Sequence, residues 1–140
     1  MRAGSMNGFS WPVRVYYEDT DAGGVVYHAC YLKYLERART EWLRSLGFEQ
    51  DRLAREQRVL FAVRRATIDY LKPAVFNELL TVNAKIAEVR KASLLFEQSI
   101  TNQQKVVLCR AEIRIACLDS DTLKPVSIPE SILLELDHAN

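Results

Sequence analysis

Val13-Arg14-Val15-Tyr16-Tyr17-Glu18-Asp19-Thr20-Asp21-Ala22-Gly23-Gly24-Val25-Val26-Tyr27-His28 is the stretch on which the reading of this chain turns. Residues 13–17 alternate around β-branched and aromatic side chains, the period of a strand. A polar loop carrying two glycines follows over 18–24. From 28 to 46 the apolar spacing becomes helical: Tyr31, Leu35, Ala38, Trp42 and Leu46 share one face, and Lys33, Glu36, Arg37, Thr40, Glu41 and Arg44 share another. Gly47 stands where a helix C′ glycine is expected. Such a helix runs about 28 Å, long enough to cross a sheet. Its first two turns are apolar nearly all round, which implies burial on several sides.

Working outward, four strand-like runs follow. Residues 59–70 are the least regular. Over 79–89, Leu80, Val82, Ala84 and Ile86 oppose Thr81, Asn83 and Lys85; Leu94, Phe96 and Ile100 oppose Ser93, Glu97 and Ser99. The last run sets Val107, Cys109, Ala111, Ile113, Ile115 and Cys117 against Arg110, Glu112 and Arg114. Arg90-Lys91 and Asn102-Gln103-Gln104 are hairpin-length connections, so these strands are expected to be antiparallel. Pro125 and Pro129 end the sheet, and 130–136 reads as a short terminal helix. The class is α+β, a long helix against one face of a curled antiparallel sheet. One helix covers one face, so the other is expected to meet a partner, making an oligomer. With no repeat or linker, 13–140 reads as a single domain and 1–12 as an N-terminal extension. Within the extension, residues 1–5 precede a second methionine, Met6, and read as an added remnant outside the fold.

The bulk numbers narrow the function. Length is 140 residues, 49% apolar and 26% charged, as in a globular domain. A net charge of +1 gives no field for nucleic acid or anionic membrane, so an anionic small molecule is the easier partner. Cys30, Cys109 and Cys117 are odd in number and lack CxxC spacing, which excludes a disulfide framework and a zinc motif. No transmembrane-length apolar run or leader h-region is present, so the expected location is the cytoplasm.

The loop before the helix carries the chemistry. Glu18, Asp19 and Asp21 offer a carboxylate as base or nucleophile. Gly23-Gly24 permits close ligand approach, and the helix start brings free N–H groups that can stabilise an oxyanion. A carboxylate beside an oxyanion site is what acyl transfer needs. The same residues also fit a plain helix cap and turn. A calcium loop is excluded, since the bidentate acid of an EF-hand would fall at Cys30. His28 is a candidate base or a structural histidine, and Cys30, near a helix start, a candidate nucleophile or a packed thiol.

The run from Val13 to Phe48, with Asp-Thr-Asp-Ala-Gly-Gly-Val-Val-Tyr-His at its centre, closely resembles the YbgC-like acyl-CoA thioesterases, a Tol-Pal-associated branch of the hydroxybenzoyl-CoA thioesterase family of hotdog proteins. The similarity continues through Phe61 to Ala74 and reaches Pro129. The resemblance implies a curved antiparallel sheet wrapped around one long central helix. It implies dimers, often paired into homotetramers, with active sites between subunits. Asp21 maps onto the catalytic carboxylate, and the backbone N–H of His28 onto the group that polarises the thioester carbonyl. Gly23, Gly24 and Tyr27 fall on the substrate-binding part of the motif. Ala22 stands where much of the wider family has proline, as in this branch. The implied activity is hydrolysis of acyl-CoA, with short aliphatic acyl groups expected first. No metal or organic cofactor is required, because a thioester is already an activated acyl donor. Arg90 and Lys91, at a hairpin tip, and Arg64 and Arg65 are the candidates for the CoA phosphates. Acyl carrier protein is a further candidate partner. The rival functions are a non-catalytic protein that binds acyl thioesters, acyl carrier protein or envelope-system partners, and a hotdog hydratase or dehydratase.

Overall fold

The structure, a computed structural model, describes residues 8–139; residues 1–5, read above as an added remnant, lie outside the described residues. Five strands form one antiparallel sheet in the order β1-β3-β4-β5-β2, from β1 (Phe9–Arg14), β2 (Val59–Tyr70), β3 (Leu79–Val89), β4 (Ser93–Thr101) and β5 (Val107–Asp119). Helix α1 (His28–Ser45) lies against β3, β1 and β4. Two shorter helices, α2 (Gln50–Glu56) and α3 (Glu130–Ala139), complete the chain. This is the expected hotdog arrangement.

Period and face explain the layering. The even positions of β3, from Leu80 to Ile86, and Leu94, Phe96 and Ile100 of β4 are buried beneath the helix. They meet Tyr34, Leu35, Ala38 and Trp42, with Trp42 edge-on to Phe96 at 5.2 Å between ring centroids. One polar side chain enters this layer. Gln98 is 5% exposed, donates from Nε2 to the Leu35 carbonyl at 3.1 Å, and accepts from Arg39 at 2.9 Å. Burial draws the Arg39 guanidinium down to about 10. The helix ends as its sequence requires: Gly47 has φ +96, and the N–H groups of Gly47 and Phe48 close onto Arg44 and Leu43.

Two readings of the sequence need correcting. The first strand occupies Phe9–Arg14, not 13–17, so part of the presumed extension is sheet. Pro12 is tolerated because β1 is an edge strand. Tyr17 belongs instead to a 3-10 turn, Tyr17–Asp19. Helix α2 was not foreseen; it buries Leu53 alone and is too short for periodicity. The outer sheet face, the one expected to meet a partner, is not itself apolar. Cross-strand rows such as Asp69, Arg110, Ser99 and Asn83 make it polar and charged. Several exposed apolar side chains gather elsewhere: Tyr17, Tyr27, Tyr70, Leu71, Val75 and Phe76 surround the loop before α1, and Val63 lies on β2.

Candidate active site

The loop leading to α1 is a small closed device. Thr20 bridges Val26, the Asp21 N–H donates to the Val25 carbonyl at 2.9 Å, and the Gly24 N–H donates to the Asp21 carbonyl at 3.0 Å. The chain therefore reverses over Asp21, Ala22, Gly23 and Gly24, and Gly24 takes φ +81, a conformation that favours glycine. The Gly23 N–H donates to Asp21 Oδ1 at 2.8 Å. That leaves Oδ2 of an exposed carboxylate without a partner among the described residues. A Cβ on Gly23 would lie 3.3 Å from Oδ1, so the residue's small size keeps the carboxylate where it is.

Neighbouring segments pin this device. Asp19, 9% exposed, accepts the Tyr16 N–H on Oδ2 at 2.9 Å, and its carbonyl accepts the Tyr27 N–H at 2.8 Å. Val26 donates to the Ala74 carbonyl and Val25 bridges Val75, so the segment after β2 buttresses the loop. Tyr17 and Phe76 stack beside it at 4.6 Å. Beneath, Tyr34 is wholly buried with its hydroxyl beside Asp19 but outside hydrogen-bond geometry; burial, with Asp19 adding, drives that phenol well above its ordinary range.

Helix α1 begins without a side-chain cap. Tyr27 occupies the N-cap position, half exposed, and neither Asp19 nor Asp21 caps the helix. The Cys30 N–H turns back to the Tyr27 carbonyl at 2.8 Å, while those of His28 and Ala29 have no partner among the described residues. Two free donors at the positive end of an 18-residue helix thus follow the carboxylate loop directly. The His28 ring is exposed, tilted against Tyr27 at 4.4 Å and edge-on to Tyr70 at 6.2 Å. The Tyr70 hydroxyl donates to the His28 carbonyl at 3.1 Å.

The structure thus brings together Asp21, Gly23, Gly24, Tyr27 and His28. Arg90 and Lys91 lie elsewhere in the same protomer. They close the β3–β4 hairpin, about 33 Å of strand from Leu79, which is at the loop end of β3. Arg90 is paired there with Glu88, which also holds Arg114 at 3.0 Å. Arg64 and Arg65 are exposed in the middle of β2, at a register shift. Cys30 is not poised as a nucleophile: it is buried, and burial followed by the charge of Asp19 pushes its thiol up. Among the described residues no cluster of His, Cys, Asp or Glu is arranged to hold a metal. A cavity of about 340 Å³, walled by Trp42, Leu43, Phe61, Val63, Phe96 and Ile115, opens two or more turns farther along α1. Tyr70 was missed from the sequence, because 42 residues separate it from His28 and no motif joins them.

Fold and loop together define a hotdog thioesterase scaffold, and comparison with known proteins agrees. The family model of the thioesterase-like superfamily matches residues 15–136. The acyl-CoA thioesterase YbgC of Haemophilus influenzae is 48% identical over 132 residues, 94% of this chain and 96% of that protein. The acyl-CoA thioester hydrolase YbgC of Escherichia coli is 49% identical over 127 residues, 91% and 94% of the two chains. The crystal structure of a probable thioesterase from Bartonella henselae superposes with a TM-score of 0.83 at 36% identity, covering 87% of this chain and 99% of that one. The chain belongs to the thioesterase-like superfamily, in its YbgC-like acyl-CoA thioesterase branch. It is a thioester hydrolase of the hotdog fold.

Proposed function

We propose that the protein hydrolyses acyl-CoA to a free acid and CoA, with Asp21 as nucleophile or general base and the first N–H groups of α1 holding the thioester oxygen. One observation carries this reading: a carboxylate tethered through a single oxygen, in a loop that delivers the uncapped start of a helix. The donors lie ready for the negative charge that develops on the carbonyl oxygen, and stabilisation of this kind is worth about 3–4 kcal/mol per donor in acyl transfer.

Two balanced routes fit. In the first, Asp21 Oδ2 attacks the carbonyl carbon, the C–S bond breaks, and the CoA thiolate leaves. Water then opens the mixed anhydride, regenerating the Asp21 carboxylate and supplying the proton the thiolate takes up. In the second, Asp21 removes a proton from water as it attacks, and returns that proton to the thiolate. The exposed His28 ring is the candidate to orient Asp21, the water or the leaving sulfur.

The site is completed by a second copy of the chain. β2 is twelve residues long, borders the sheet, and displays Val63 at 52% exposure. Pairing of two such edges continues the sheet and covers the exposed ring of Tyr27, Tyr70, Leu71 and Val75. Antiparallel pairing also turns the far end of one sheet toward the loop of the other, so that the partner's Arg90 and Lys91 reach the CoA phosphates. A dimer, or a dimer of dimers, is the working unit. Its place is the cytoplasm, where three buried thiols stay reduced. Acyl carrier protein is the second carrier to test.

The deciding experiment measures thiol release from saturated acyl-CoAs, short aliphatic chains first, then long-chain and aromatic, for wild type and Asp21→Asn. A folded variant slowed on the order of a hundredfold or more upholds the reading. Equal rates remove Asp21 from the chemistry. Binding of acyl-CoA with no turnover of any thioester makes the protein a carrier-binding module, and water addition to an enoyl-CoA without thiol release makes it a hydratase.

A further inference from the structure

Tyr70 ends β2, and its main chain is held on β5: the residue pairs with Cys109, and the N–H groups of Leu71 and Lys72 both donate to the Leu108 carbonyl. From this fixed base the ring reaches across to α1. It lies edge-on to Tyr31 at 5.3 Å and to His28 at 6.2 Å between centroids. Tyr31 is itself immobilised, buried at 4% exposure with its hydroxyl accepting the Ala74 N–H at 3.0 Å. Set against these two rings, the Tyr70 hydroxyl donates to the carbonyl of His28, 3.1 Å away.

That carbonyl is an unusual target. As the first residue of α1, His28 already gives its carbonyl to the helix ladder, so the tyrosine adds a bond to the second lone pair. A peptide whose carbonyl accepts a further hydrogen bond becomes a stronger donor through its N–H, by roughly 10–30% per bond in condensed-phase estimates. The N–H of that same peptide belongs to Ala29. It is one of the two uncapped donors at the helix start. Partial burial raises the Tyr70 phenol above its ordinary range, so it is protonated and donating at neutral pH.

We propose that Tyr70 is a positioning residue for thioester hydrolysis: its hydroxyl orients and polarises the His28–Ala29 peptide, so that the Ala29 N–H joins the His28 N–H as a second donor to the thioester oxygen. This rests on the function proposed above. The residue does not touch the reacting atoms; it acts through the helix start, from a strand 42 residues away in sequence. It also ties the oxyanion site to β2, the strand at the free border of the sheet.

The test is Tyr70→Phe in the full-length protein, which keeps the ring on Tyr31 and His28 and removes one oxygen. With the acyl-CoA that wild type hydrolyses fastest, kcat falls by about threefold to tenfold while KM stays within twofold, the pattern of a bond that matters in the transition state. A spectroscopic arm isolates the peptide. Isotope-edited infrared spectra of the same acyl-CoA bound to Asp21→Asn show the thioester carbonyl lowered in frequency relative to free substrate, and adding Tyr70→Phe moves it back toward the free value. Unchanged kcat, a change confined to KM, or a kcat loss with an unmoved carbonyl band each overturn the proposal. The two levels of inference separate cleanly. No turnover by wild type refutes the proposed function, whereas turnover abolished by Asp21→Asn but untouched by Tyr70→Phe removes only the role given to the tyrosine.

Discussion

Replacing Gly23 with alanine separates activity from stability at a single atom. Gly23 lies outside the left-handed region, so alanine can adopt its backbone conformation. The cost comes from the added Cβ, which would stand 3.3 Å from Asp21 Oδ1, the oxygen that the Gly23 N–H holds at 2.8 Å. The contact is tight enough that the carboxylate must yield by a few tenths of an ångström, since beyond the adjacent residues nothing else lies within 4 Å of the new carbon. A misplacement of about 1 Å costs on the order of a hundredfold in rate, so roughly 0.3–0.5 Å scales to a loss of about fourfold to tenfold. Stability moves little in either direction. Alanine restricts the unfolded chain, worth about 0.4–1 kcal/mol in favour of folding, and the strained contact offsets it. For a domain of this size about 1 kcal/mol corresponds to roughly 3 °C, so Tm stays within about 3 °C of wild type. The assay is steady-state thiol release beside thermal unfolding of the same preparation. Full activity in Gly23→Ala would show that the Oδ1 position is immaterial and that the loop serves only as a turn.

Two further outcomes are expected. Val63→Glu, which sets a charge on the half-exposed middle of β2, is expected to leave the protein monomeric in sedimentation equilibrium where wild type forms the proposed dimer, and to abolish turnover with it; an active monomer would refute the shared site. The thiols of Cys109 and Cys117, fully buried, are each pushed by burial from 9.0 to about 11, Asp69 adding a smaller push at Cys109. Above pH 9 the unfolded chain therefore releases protons that the native chain retains, and stability falls as pH rises from about 9 to 11. Denaturant midpoints across that window should drop for wild type and flatten in Cys109→Ala/Cys117→Ala; parallel slopes would contradict the assignment.

What the sequence made legible divides along physical lines. Helix α1 was readable because an apolar stripe at helical spacing, from Tyr31 to Leu46, closes on Gly47, a residue that can take φ +96. Strands β3 to β5 were readable because their alternation continues over nine or more residues. The first strand slipped because Pro12 looks like a boundary until the sheet order makes β1 an edge. Helix α2 buries too little to leave a pattern. At the site, Asp21, Gly23, Gly24, Tyr27 and His28 are contiguous, so a linear reading collects them. The Tyr70 contact depends on two elements meeting, and the remoteness of Arg90 and Lys91 from the loop depends on which way β3 runs; neither is written in local spacing.

Gln98 carries a consequence of its own. Apolar contacts have no preferred direction, so a helix resting only on Leu80, Phe96 and Ile100 would have several nearly equal seats. An amide that must meet one carbonyl, Leu35, and one guanidinium, Arg39, accepts a single seat. Leu35 is seven residues from His28, about 10 Å along the helix axis. The sheet thereby dictates, from the middle of the helix, where its first turn lies relative to the Asp21 loop. The accuracy of a surface site is set by a fastening in the dry interior, and drift there would be felt as lost alignment at the helix tip well before the fold itself gave way.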